Sequence, residues 1–180
     1  VAAGTIEFEG RDISKMEAHK RSSSGLALVP EGRRLFTSMT VAENLLIAKS
    51  ANRDGAWNFE TVLDALPQLK EKLNAPAGTL SGGQQQAVAI GRALMTNPKI
   101  LLLDEVSLGL SPLAVQFVYD SLAKLFISKT ALVLVEQDLK RAMMVADRIV
   151  CMLEGRIVAI GNADEMTREE ILNHYFGHGG

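Results

Sequence analysis

The chain has 180 residues, 47% hydrophobic and 22% charged, with a formal net charge of −2. That length and balance suit one globular domain with a real core, and give no basis for broad nucleic-acid binding. The single cysteine, Cys151, excludes an internal disulfide framework and fits a reducing compartment, and no apolar run approaches the ~20 residues needed to cross a bilayer.

Along the chain, Thr5-Ile6-Glu7-Phe8-Glu9-Gly10 alternates apolar and polar residues, the pattern of a half-exposed strand ending at a turn. Leu26-Ala27-Leu28-Val29, stopped by Pro30, reads as a short buried strand. Thr40 and Glu43 form a capping-box pattern that opens a helix through Leu46. Residues 49–79, with Asn52-Arg53-Asp54-Gly55 and Pro76-Ala77-Gly78, read as loops and short helices. From Ser81 onward helices and strands alternate. A helix is expected over about Gly83–Met95, with Ala87, Val88, Ile90, Ala93 and Leu94 on one stripe, broken by Asn97-Pro98. Ile100–Leu103 and Ala131–Val135 are fully apolar strands. Helices are expected over about Pro112–Phe126 and Leu139–Ala146. Ile149–Leu153 and Arg156–Ile160 read as a hairpin turned at Glu154-Gly155, and Asp164–Tyr175 as a helical tail. Apolar strands alternating with helices imply an α/β fold with a parallel sheet covered on both faces.

Two runs carry chemistry. Leu80-Ser81-Gly82-Gly83-Gln84 stands at a helix start, where free N–H groups and the positive dipole end collect anions. Ser81, Gly82 and Gly83 can donate to phosphate oxygens there; equally, Ser81 can serve as a plain N-cap before a flexible turn. Gln84-Gln85-Gln86, uncommon at a helix start, adds weight to the first reading. The second run, Ile100 to Leu103, ends in Asp104-Glu105. Ligands of open α/β sheets bind beyond the carboxyl ends of strands. Asp104 there suits Mg²⁺, through water, and Glu105 suits an attacking water; the plain alternative is an acid pair capping a helix. Glu136-Gln137 and Pro30-Glu31 follow the ends of the other two strands. Cys151 and Met143-Met144 read as core. His19, His174 and His178 show no metal-ligand spacing. Arg33, Arg34, Lys70 and Lys72 read as solvated or partner-facing. No G-x-x-x-x-G-K-[ST] phosphate loop occurs in the chain.

Together these residues resemble the ATP-binding subunit of ABC transporters, over nearly the whole chain. Leu80–Gln84 resembles that family's signature sequence, Lys99–Glu105 its Walker B strand, and Ser107-Leu108-Gly109-Leu110-Ser111 its D-loop. Glu31 and Gln137 fall at the Q-loop and switch positions, where most members have Gln and His. Val29-Pro30-Glu31-Gly32-Arg33-Arg34-Leu35-Phe36, Thr40-Val41-Ala42-Glu43-Asn44-Leu45, Ser107–Leu110 and Val135-Glu136-Gln137 resemble the branched-chain amino acid importer ATPase, the smaller of its two ATPase subunits. Importers of related amides share much of this pattern. Val106 stands where that family usually has Pro.

The resemblance implies a P-loop NTPase-like parallel sheet with helices on both faces and a small helical subdomain over about residues 38–95, all within one ABC ATPase domain spanning 1–180. It implies ATP and Mg²⁺ as ligands and a head-to-tail dimer with a second ATPase subunit. Ser81, Gly82, Gly83 and Gln84 would serve ATP held by the partner. Asp104, Glu105, Glu31 and Gln137 would serve ATP on this subunit's own phosphate loop. Other implied partners are transmembrane permease subunits and, indirectly, an external solute-binding protein, with no nucleic acid. The implied location is the cytoplasmic face of the membrane. Val1 stands in mid-pattern, and the chain reads as a fragment whose phosphate loop lies upstream. The alternative is a non-catalytic subunit that offers only its signature face.

Overall fold

The structure is a computed structural model that describes residues 3–48, 53–125 and 130–176. It divides into a unit ending at Val135 and a unit beginning at Glu136. The first unit opens with a small antiparallel pair, β1 (Glu7–Phe8) and β2 (Arg11–Asp12), turned through left-handed Glu9 and Gly10. The strand expected over Thr5–Gly10 therefore forms over two residues only. The chain returns on itself at Glu9-Gly10, and Ile13 is the residue that goes into the interior.

Helix α1 (Ala18–Ser24) ends at left-handed Gly25 and feeds β3 (Leu26–Val29). Beside β3 runs β4 (Ile100–Asp104), and beside β4 runs β5 (Ala131–Val135), all parallel, in the order β3-β4-β5. Val29 lies opposite Leu103 and Leu103 opposite Leu134. The three strands thus end together at one edge.

Between β3 and β4 the described elements are helical. Helix α2 (Val41–Leu46) starts on the expected capping box: the Glu43 carboxylate accepts from the Thr40 N–H at 2.7 Å and hydroxyl at 2.9 Å. Those two bonds hold the Glu43 carboxyl below its ordinary value, the backbone one more strongly. Helix α3 (Phe59–Ala65) has a matching box from Asn58 and Thr61, and 3₁₀ turns cover Pro67–Lys72 and Ala77–Thr79. Helix α4 (Gly82–Leu94) is buried all round over Gln86–Gly91, not along the single stripe expected, because other elements pack on it from more than one side. It packs on the sheet face formed by Ala27, Val29, Leu101 and Leu103, with Leu45, Leu66, Leu69, Ile90 and Leu94 filling the space. Each such side chain contributes roughly 1.5–3 kcal/mol by leaving water. Asn97, left-handed at φ 49°, ends the α4 segment as the sequence requires. Its amide accepts from the Trp57 N–H and donates to the Arg53 and Trp57 carbonyls, tying residues 53–57 to the entry of β4.

Helix α5 (Pro112–Leu125) follows β4; the expected end at Phe126 lies outside the described residues, as does Asn52 of the expected loop. The other face of the parallel sheet carries Leu28, Val133 and Val135, which are exposed. Leu28 is 57% exposed, so β3 is buried on one face only, not throughout as its apolar run suggested.

The second unit holds α6 (Leu139–Val145), β6 (Arg148–Leu153), β7 (Arg156–Asn162) and α7 (Arg168–Phe176). The hairpin forms as expected, with Val158 bulged from β7. Ile149, Cys151 and Ile171 centre a small core lined by Leu139, Met143 and Met166. Met144, expected in the core, is 73% exposed, because α6 turns only one of the adjacent pair inward. The tail helix begins at Arg168 rather than Asp164. Thr167 and Glu170 make its cap, which fixes the start. His178 lies outside the described residues.

Candidate functional site

The acidic end of β4 is built by the sheet itself. Asp104 is the last residue of the strand, paired with Val135. Glu105 follows in left-handed backbone, φ 46°, which turns the chain off the sheet while its N–H still donates to the Val135 carbonyl at 3.0 Å. Both residues are part-buried. The Leu108 N–H donates to the Glu105 carbonyl at 3.1 Å, closing a tight turn. Val106 sits in that turn 2% exposed, packed in the core. Its place in the family pattern is therefore filled by an aliphatic anchor. Glu31 is exposed two residues beyond Val29, at the same sheet edge as Asp104 and Glu105.

Ser81 is the N-cap of α4, accepting from the Gln84 N–H at 3.4 Å while the Gln84 side chain accepts from the Ser81 N–H at 3.1 Å. The plain capping role is thus real, and Gln84 shares it. Gln85 donates to the Ala77 carbonyl at 3.3 Å and accepts from Arg33 Nη1 at 3.2 Å, and Gln86 is buried. The glutamine run has local structural work.

The glycines do as well. A Cβ on Gly83 would come 2.7 Å from the Ala114 Cβ of α5. One on Gly82 would meet Leu110 Cδ2 at 3.2 Å and Arg33 Nη2 at 3.3 Å. The start of α4 is therefore pressed between the 107–111 loop and the 31–36 loop. Three segments distant in sequence meet around one helix N-terminus. Gln137 belongs to the second unit, is exposed, and donates its N–H to the Glu136 carboxylate at 3.0 Å.

Sequence reasoning missed two residues that set these loops. Asn44, fully buried, accepts from the Phe36 N–H and donates to the Phe36, Met39 and Thr40 carbonyls. Arg92 donates to the carbonyls of Arg33 and Arg34, and burial lowers its guanidinium's pKa from the ordinary value. The available signal was a polar residue set among aliphatic ones, Asn44 before Leu45 and Arg92 between Gly91 and Ala93. Arg33, expected to be solvated or partner-facing, is part-buried and bonded to Gln85 of α4, and Lys70 pairs with Asp64. His19 is exposed beside Glu17. Among the described residues no cluster of three or more His, Cys, Asp or Glu is placed to hold a metal ion. A lone strand-end carboxylate fits the way Mg²⁺ is held, by one or two carboxylates with water and substrate phosphates. No helix among the described residues is long and apolar enough to cross a membrane.

A parallel α/β sheet with carboxylates at its strand ends, beside a glycine-containing helix N-terminus, is the class of fold that handles nucleotide phosphates. The comparisons make the class specific. The ABC transporter family model matches residues 1–107. The chain is 39% identical over 179 residues to the high-affinity branched-chain amino acid transport ATP-binding protein BraG of Pseudomonas aeruginosa, covering 98% of this chain and 77% of that one. It is 34% identical to the probable branched-chain amino acid transport ATP-binding protein LivF of Archaeoglobus fulgidus, covering 94% and 73%. It is 35% identical to the xylose import ATP-binding protein XylG of Moorella thermoacetica, covering 94% of this chain but 36% of that longer one. Among solved structures, the ADP conformation of MJ1267, an ATP-binding cassette of an ABC transporter, matches with a TM-score of 0.77 at 29% identity, over 95% and 72% of the two chains. The chain belongs to the ABC transporter family, as the ATP-binding subunit of an importer and a transport ATPase.

Proposed function

We propose that this subunit drives the uptake of branched-chain amino acids or related small amides. The support is the 39% identity to BraG over nearly the whole chain, together with the Val29–Phe36 and Val135–Gln137 patterns. The sugar-importer likeness is of comparable identity but concerns a much longer protein.

In this reading ATP is the substrate and its terminal phosphoryl passes to water. Ser81, Gly82, Gly83 and Gln84 receive the phosphates of ATP held by a second, different ATPase subunit in a head-to-tail dimer. Asp104 holds Mg²⁺, which when bound neutralises phosphate charge. Glu105 orients the attacking water, Gln137 takes the catalytic switch position that the family pattern gives it, and Glu31 senses the membrane subunit. Residues of about 38–95 act as the helical subdomain that carries the signature face. The assembly includes transmembrane permease subunits at the cytoplasmic face of the membrane and, beyond them, a solute-binding protein.

The test is ATP hydrolysis by the full-length protein co-purified with its permease and partner ATPase in lipid vesicles, with the solute-binding protein added. Leucine, isoleucine or valine is expected to stimulate turnover. Stimulation by xylose or galactose instead would replace the amino acid reading. Hydrolysis that survives inactivation of this subunit's carboxylates but not the partner's would favour a non-catalytic subunit.

A further inference from the structure

The turn that carries Glu31 is held in an unfavourable shape. Gly32, Arg33 and Arg34 follow one another in left-handed backbone, with φ of 73°, 64° and 49°. Glycine adopts this shape freely; arginine does not. Such residues persist only where their surroundings over-determine them. The turn's own bonds are two, from the Arg33 N–H to the Pro30 carbonyl and from the Arg34 N–H to the Gly32 carbonyl.

The rest comes from the helices. Arg92 Nη2 donates to the Arg34 carbonyl at 2.7 Å and to the Arg33 carbonyl at 3.2 Å, and the guanidinium lies 5.6 Å from the centroid of the Phe36 ring. Asn44 pins Phe36 from α2. At the other end of α4, Gln85 receives the Arg33 side chain one turn from Ser81. The helix is unbroken from Gly82 to Leu94.

We infer that Arg92 is a positioning residue that locks the left-handed Gly32–Arg34 turn onto α4, so that one rigid body sets both Glu31 and Ser81–Gly83. This rests on the roles proposed above for those residues. Arg92 touches no substrate; it acts through the turn. Lysine is a poor replacement, because Nη2 alone reaches both carbonyls while the rest of the guanidinium lies over the Phe36 ring, an arrangement that a compact ammonium on a flexible stem does not reproduce.

The test uses the full-length protein assembled with its permease, with hydrogen exchange of the Arg33–Phe36 and Leu80–Gln84 amides as a second readout. Arg92→Lys is expected to lower kcat roughly tenfold, to change KM for ATP less than about twofold, and to speed exchange in both segments. Arg34→Gly alone is expected to stay near wild type, since its side chain is exposed. Combined with Arg92→Lys it is expected to restore kcat by about threefold or more, because glycine keeps a positive φ without the clamp. No rescue, or exchange that speeds in only one of the two segments, would overturn the inference. If Arg92→Lys does not fold, Phe36→Leu is expected to give a smaller loss of the same kind; unchanged exchange there would also overturn it. A Glu105→Gln variant that retains full turnover would count against the functional reading, while the exchange data still judge the clamp.

Discussion

Ser81 carries two readings at once, and a single substitution separates them. As N-cap of α4 it accepts from the Gln84 N–H. In the proposed function it also meets a phosphate. Aspartate is an equally good N-cap and is favoured at the positive end of a helix, but it repels phosphate. Ser81→Asp is therefore expected to keep or raise the melting temperature while lowering ATP turnover at least about tenfold. Unchanged turnover would leave only the capping role. Gly83 gives the converse case. Its missing Cβ is what allows α4 and α5 to approach, since an added one would sit 2.7 Å from the Ala114 Cβ. Gly83→Ala gains some helix propensity but forces two helix backbones apart. A net loss of about 1–2 kcal/mol in denaturant unfolding is expected.

At the scale of elements, caps and strand ends do most to position the site, and most of them were legible. The Thr40–Glu43 box was readable because both side chains serve backbone groups within one turn. Glu43 is hydrogen-bonded in its charged form, so its folded-state pKa lies below the ordinary 4.5. The stabilisation is complete above the unfolded value and is lost as the pH falls through the lowered folded value. Denaturant midpoints measured from pH 6 down to pH 3 should thus fall less steeply for Glu43→Gln, whose amide oxygen can accept the same bonds at every pH.

The β4 and β5 strands were readable because an unbroken aliphatic run beside helices has few alternatives. Leu28 and Met144 were not, since a short apolar run says nothing about which of its faces is covered. Asn44, Gln85 and Arg92 were not legible either. Asn44 serves backbone groups of the loop just before it, whose path no pattern specifies, while Gln85 and Arg92 reach residues brought near only by the fold, Arg92 and Arg34 across a separation of 58 residues. That Asp104 and Glu105 stand at a strand end was readable from the aliphatic run before them. That the start of α4 is wedged between Leu110 and Arg33 could come only from packing.

On the scale of the whole molecule, two units with separate cores share the chain. The first holds the strand-end carboxylates and helix α4; the second begins at Glu136 with a core centred on Ile149, Cys151 and Ile171. Burial raises the Cys151 thiol above its ordinary range and hides it, at 4% exposure. A thiol reagent should therefore react at least about a hundredfold more slowly with the native protein than with the unfolded chain, at a rate set by opening of the second unit. Rapid native labelling would show that this core is not closed.

Glu105, the residue at which β4 turns off the sheet, carries the hydrolytic role proposed for this subunit. Phosphate release from MgATP by the full-length protein, wild type against Glu105→Gln, measured beside nucleotide affinity, tests it. The expected result is a loss of about a hundredfold or more in turnover with affinity retained. Undiminished turnover in Glu105→Gln would contradict it.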